Sequence, residues 1–213
     1  MNFKYFKTSS LIPFILVLSV IFNIISKKIE GAINSNGTLG EIYSYIGVFS
    51  TITLITITLS IINFWAWKWA IFKWLINIPN LNGRYTGELI SSFTTPQGTP
   101  VRKICVMEIK QTASKIYIHS YFGDVNPNAV TSSSQSVSEE LVSDTNGMFR
   151  LYYIFTNESN ALQVQLNNHL GTARFRYFLD IKTLEGEYYN QRMNFGTIKV
   201  VFEQETLLGR LIR

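Results

Sequence analysis

"LEGEYYNQR", Leu184 to Arg192, reads as a β-strand with two unlike faces. Alternation places Leu184, Gly186, Tyr188, Asn190 and Arg192 on one side, and Glu185, Glu187, Tyr189 and Gln191 on the other. The first side begins apolar and ends in a phenol, an amide and a guanidinium. That mixture suits neither a uniform core nor a plain solvent face; it suits a strand that holds something.

The same period of two runs outward through residues 83–204. Strand-like runs are expected at 83–93, 101–111, 114–122, 132–142, 149–157, 169–179, 184–192 and 195–203. "TPQGTP", "QTAS", "GDVNPN", "SDTNG", "NESN", "IKT" and "MNFG" separate them as turn signals. No amphipathic helix interrupts the series. Eight such short strands indicate a sandwich or a small barrel; eight close naturally into a minimal antiparallel barrel, lipocalin-like, with room for one small ligand, and that is the expected fold. In "HLGTARFRYFLD" (169–180), Gly171, Ala173, Phe175, Tyr177 and Leu179 alternate with Leu170, Thr172, Arg174, Arg176 and Phe178. "FRLYYIFTN" (149–157) alternates in the same way. "SSSQSVSEE" (132–140) is nearly devoid of apolar residues, so it lines a polar space or forms an edge.

Ahead of the barrel the period is not two. Residues 8–26 and 42–67 are uncharged, and each is long enough to cross a hydrocarbon core of about 30 Å. Helices are expected at about 9–26 and 42–67 within a 1–75 segment, joined by the short loop "KKIEGAINSNGTLGE". Trp65, Trp67, Trp69 and Trp74 gather at the end of the second helix, and Tyr43 and Tyr45 at its start, as an aromatic belt requires. A cleaved signal peptide fits less well, because no small-residue cleavage site precedes the loop. "INIPNLN" (76–82) is the connector, and 205–213 a C-terminal tail. Lys4, Lys7, Lys68 and Lys73 flank the hairpin on the side of both termini, which predicts cytoplasmic termini in a multi-pass protein. Thr53, Thr56, Ser60 and Asn63 recur at helical spacing. They form either an interhelical polar stripe, with oligomerisation as its use, or a set of hydroxyls bonded to their own helix.

Charge excludes a nucleic-acid surface. Residues 1–76 carry six lysines against Glu30 and Glu41, whereas the remaining 137 residues carry 13 basic and 12 acidic side chains. The basicity flanks the apolar segments, and a broad DNA or RNA face is absent. The single cysteine, Cys105, precludes an intrachain disulfide. No nucleophile elbow, HExxH or P-loop is present, so no enzyme is expected. His119 and His169 lie on different strands without a third ligand, and "DVNPNAVTSSSQ" lacks the glycine and glutamate of a calcium loop. Neither a metal nor another cofactor is expected.

Binding is what remains. Arginine recognises phosphate, tyrosine stacks on a base, and hydroxyls and amides read polar edges. The candidate set is Arg192, Tyr188, Asn190, Arg174, Arg176, Thr172, Ser134 and Gln135. For Arg192 an alternative is structural. In lipocalin-type barrels an arginine of the last strand packs on a first-strand Gly-x-Trp, and Gly83-Arg84-Tyr85 stands in that position with tyrosine for tryptophan. A tethered barrel carrying a lipid or other apolar ligand is the alternative function; it predicts an interior without polar lining.

Two apolar helices, a proline-containing connector, then "NLNGRYTGELISSF", "MEIKQTASKIYIHS", "SSSQS", "NHLGTARF" and "LEGEYYNQRMNFGTIKV" together resemble the membrane-anchored β-barrel effectors of bacterial cyclic-oligonucleotide anti-phage signalling, CBASS. The resemblance implies a cyclic dinucleotide ligand made by a cognate nucleotidyltransferase. It further implies homo-oligomerisation on binding, disruption of the inner membrane, and abortive infection.

Overall fold

The computed structural model describes residues 2–34, 51–124, 130–144, 146–159 and 168–211. They divide into two units: a helical one, Met1–Asn77 with Thr112–Ser114, and a β one, Ile78–Gln111 with Lys115–Arg213.

In the β unit, eight strands form a closed barrel in sequential order. They are β1 (Gly83–Thr94), β2 (Pro100–Gln111), β3 (Ile116–Gly123), β4 (Val130–Ser143), β5 (Phe149–Ser159), β6 (His169–Phe178), β7 (Thr183–Asn190) and β8 (Phe195–Gln204). Every neighbouring pair is antiparallel, and β1 closes on β8 through Tyr85↔Phe202 to Ser91↔Gly196. Closure leaves the serine-rich β4 paired on both sides, so it is no edge.

Burial follows the alternation. Leu151, Tyr153, Phe155, Ala173, Phe175, Tyr177, Leu184, Ile198 and Val200 face inward and are buried. Their outward neighbours Tyr152, Ile154, Leu170 and Val201 are exposed. Tyr153 stacks on Phe175 with centroids 5.9 Å apart. Each fully buried Leu or Phe contributes about 1.5–3 kcal/mol, so this ring of large side chains holds the barrel shut. Tight coiling needs glycine where strands approach closely: a Cβ on Gly186 would lie 1.8 Å from the Arg174 carbonyl oxygen.

Arg84 is the least expected core member. It occupies an outward position on β1, yet is only 2 % exposed. Its guanidinium donates to Glu203 and Glu108, both at 2.9 Å, and to the Arg210 and Leu211 carbonyls at 2.6 and 2.7 Å. Glu108 also accepts from the Leu208 and Gly209 amides. The tail after β8 is therefore fastened over the outer face of β1 and β2. The bracket between Arg192 and Gly83–Tyr85 does not form, because β1 begins beside the end of β8 whereas Arg192 precedes its start. Tyr85 packs edge-on against Phe202 instead, at 5.5 Å.

The helical unit contains α1 (Thr8–Asn34) and α2 (Thr51–Phe64). Thr8–Ile29 is long and apolar enough to cross a membrane, and almost none of it is buried. Pro13 sits inside its second turn. The described part of α2 has 14 residues, and the expected helical stretch 42–50 lies outside the described residues. The helix ends at Phe64 rather than 67, giving way to two short 3-10 turns, Ala66–Lys68 and Ala70–Phe72. Trp67 is buried, whereas Trp65, Trp69 and Trp74 are exposed. The polar stripe of α2 is already engaged at two positions. Thr56 donates to its own helix at the Ile52 carbonyl, and Asn63 is buried, accepting from the Ser114 hydroxyl at 2.6 Å.

Candidate functional site: the polar end of the barrel

Inward positions of the barrel are not uniform along its length. The end reached by the start of β1 and the end of β8 is filled by Tyr85, Ile109, Ile116, Leu151, Leu184 and Val200, all buried. Gln111, buried at that end, is used up: it accepts from the Leu81 amide and donates to the Pro79 carbonyl.

The opposite end is formed where β1, β3, β5 and β7 finish and β2, β4, β6 and β8 begin. Register brings Ser91, Lys103, Ser132, Ser134, Asn157, His169, Tyr188 and Asn190 to its inner side. Tyr188, 7 % exposed, donates to Ser91 Oγ at 2.9 Å. Its ring lies against β8 because residue 196 is glycine; a Cβ there would stand 2.8 Å from the ring and 2.1 Å from the Ile90 carbonyl oxygen. Burial raises the Tyr188 phenol above its ordinary range, with the Ser91 bond opposing, so it is a neutral donor at physiological pH. Asn190 Nδ2 donates to His169 Nε2 at 3.2 Å, while Asn190 Oδ1 accepts from the Arg192 and Asn194 amides at 3.1 Å each. That amide thereby shapes the β7–β8 turn, in which Met193 takes a positive φ of 59°. Arg192 is half-buried within the turn. Lys103 Nζ forms an ion pair with Asp124 Oδ1. At middle depth, the buried Ser120 hydroxyl stands by the Tyr153 phenol, whose burial-driven rise it opposes.

The structure thus divides the sequence-predicted residues. Tyr188, Asn190 and Ser134 belong to the inner side of the polar end, and Arg192 to its adjoining turn. Thr172, Arg174 and Arg176 alternate with the buried Gly171, Ala173, Phe175 and Tyr177 and so project from the outer face. Gln135 is also outward, opposite His119 and Thr156. Arg174 is paired with Glu187 at 2.8 Å, a contact that raises its already high pKa. Arg150, Arg174, Arg176 and Lys199 share an outer groove of about 480 Å³ with Glu88, Glu185 and Glu187, so no strongly cationic field builds there. A ligand within the barrel cannot meet these guanidiniums; strand parity forbids it.

The candidate set lacked Ser91, Lys103, Ser132, Asn157 and His169, although the serine run containing Ser132 was expected to line a polar space or form an edge. The signal for Lys103 was present: in "KICVMEI" it shares parity with Cys105, Met107 and Ile109, which are all fully buried. Among the described residues no cluster of three or more His, Cys, Asp or Glu is placed to hold a metal ion.

A sequential closed barrel, apolar at one end and polar within the other among the described residues, follows an apolar helix long enough to cross a membrane. The family model described as "Cap15, cyclic dinucleotide receptor domain" matches residues 76–201, and the chain belongs to that family. CD-NTase-associated protein 15 of Yersinia aleksiciae is 29 % identical over 125 residues, which is 58 % of this chain and 55 % of that protein. The chain thus spans about half the length of that curated relative. The resemblance drawn from the strand motifs therefore stands at the level of family.

Proposed function

We propose that this chain is a membrane-anchored CBASS effector whose barrel binds a cyclic dinucleotide at its polar end. The observation that carries this reading is the segregation of inward polar groups to one end of a closed barrel in a chain of the cyclic dinucleotide receptor family. Arg192 faces a phosphate, Tyr188 stacks on or borders a base, and Asn190, Asn157 and Ser134 offer polar contacts. Arg174, Arg176, Thr172 and Gln135 have no part in that contact set. An apolar cargo is disfavoured, because the apolar end is filled by the barrel's own side chains.

The anchor is the helix at Thr8–Ile29, joined by a second span that includes α2, with the barrel in the cytoplasm at the inner membrane. A cognate nucleotidyltransferase supplies the ligand, which drives homo-oligomerisation to the extent that it binds the assembling state more tightly. Apposed helices, through Thr53, Ser60 and the exposed apolar residues of α1 and α2, then disrupt the bilayer and abort infection. Asn63 is withdrawn from that stripe by its bond to Ser114.

Calorimetric titration of the detergent-solubilised chain with 3′,3′-cyclic di-AMP, cyclic di-GMP, cyclic GMP–AMP and cyclic UMP–AMP tests the first step. Binding of at least one, weakened by Asn157→Ala and unaffected by Arg174→Gln with Arg176→Gln, is expected. No heat with any of them, or loss of binding in the outer-face variant alone, removes the reading.

A further inference from the structure

Among the described strand residues, the inward positions carry a single Lys or Arg, and it is Lys103. It stands beside Leu89 on β1 and near the start of β2, at the polar end. Its side chain is 21 % exposed, while that of its partner Asp124, just beyond the end of β3, is 45 % exposed. A lysine half withdrawn into a barrel loses hydration, and a carboxylate restores part of what it loses. Asp124 satisfies it from the more solvated side.

This arrangement is more than an ordinary surface pair. Other cross-strand pairs of this barrel, Arg102 with Glu88, Arg174 with Glu187 and Lys199 with Glu185, sit on the outer face with both partners largely exposed. Among the ion pairs of the described residues, only Lys103–Asp124 has a member, Lys103, on the inner parity, in the same end as Ser91, Tyr188 and Asn190. Resting on the reading above, we propose that Lys103 is a phosphate contact of the ligand site and that Asp124 holds its place in the empty barrel. A phosphodiester entering the polar end competes with Asp124 for the same ammonium. The carboxylate keeps Lys103 aimed inward before binding, and it lowers affinity for weakly charged or monoanionic competitors that cannot displace it.

The test uses the full chain in detergent, the same four cyclic dinucleotides, and the variants Asp124→Asn, Lys103→Met and both together, each titrated at two salt concentrations. Asp124→Asn is expected to tighten binding by about tenfold, because the ligand no longer displaces a charge. Lys103→Met is expected to weaken it by about tenfold or more and to flatten its salt dependence. The double variant should match Lys103→Met, since Asp124 acts only through that ammonium. If Lys103→Met unfolds, Lys103→Gln and the Asp124→Asn result alone decide the matter. Wild-type binding that Asp124→Asn leaves unchanged or weakens overturns the role of this pair while the ligand assignment survives. Absence of wild-type binding with all four ligands overturns the ligand assignment and the pair with it.

Discussion

Arg84→Leu should damage the barrel more than any surface change, and the reason can be counted. The side chain is 2 % exposed and donates four hydrogen bonds, two to carboxylates and two to the tail carbonyls. Removing it leaves Glu108, whose side chain is 5 % exposed, without its cation and with only the Leu208 and Gly209 amides. Breaking a buried pair in this one-sided manner costs about 3–5 kcal/mol, against a total of about 5–15 kcal/mol for a domain. The melting temperature should fall by roughly 10–20 °C. Arg84→Leu combined with Glu108→Leu removes both charges and should recover much of the loss, giving a coupling of about 2 kcal/mol or more in the double-mutant cycle. Thermal unfolding of the full chain in detergent, followed through the β-sheet circular dichroism, provides the measurement. A loss below about 1 kcal/mol for Arg84→Leu, or strict additivity of the two substitutions, would show that the network does not secure the tail, and the reasoning from burial would fail.

Three further outcomes are expected. Tyr188→Phe deletes the bond to Ser91 and should lower stability by about 1 kcal/mol in the same melt, leaving the β-sheet spectrum unchanged. Cys105 is fully buried, and burial pushes its thiol up to about 12. It should therefore resist iodoacetamide in the folded chain at pH 8 and react after denaturation, as mass spectrometry would reveal. Burial holds His119 below the usual imidazole range, against the opposing pull of Glu108 and Glu158. The unfolded chain then takes up the proton more readily. Stability contributed by the neutral ring is present above about pH 6.5 and lost as pH falls towards the lowered folded value. His119→Gln should shrink the melting-temperature difference between pH 7.5 and pH 5.5, and an unchanged difference would refute the assignment.

The amino-acid sequence by itself determined the barrel's strands and the apolar character of the first helix. Alternation is a local property: in "LEGEYYNQR" and "HLGTARFRYFLD" each residue's parity with its neighbours is fixed by the pleat, and turn residues mark where it stops. Family membership was legible for the same reason, because the strand motifs keep their order. Parity with apolar neighbours already marked Lys103 as inward, but where both faces of a strand carry large apolar residues, as on β6, tertiary structure decided which face turns in. The arginines at 174 and 176 are as suited to phosphate as that at 192, but only closure of the sheet decides that Phe175 goes in and they go out. Arg84 shows the same limit, since its four partners come from β2, β8 and the tail, up to 127 positions away. Likewise Lys103 and Asp124, 21 residues apart, become a pair only when β2 and β3 align. Long-range pairing of charges depends on register between strands, and no local pattern encodes it.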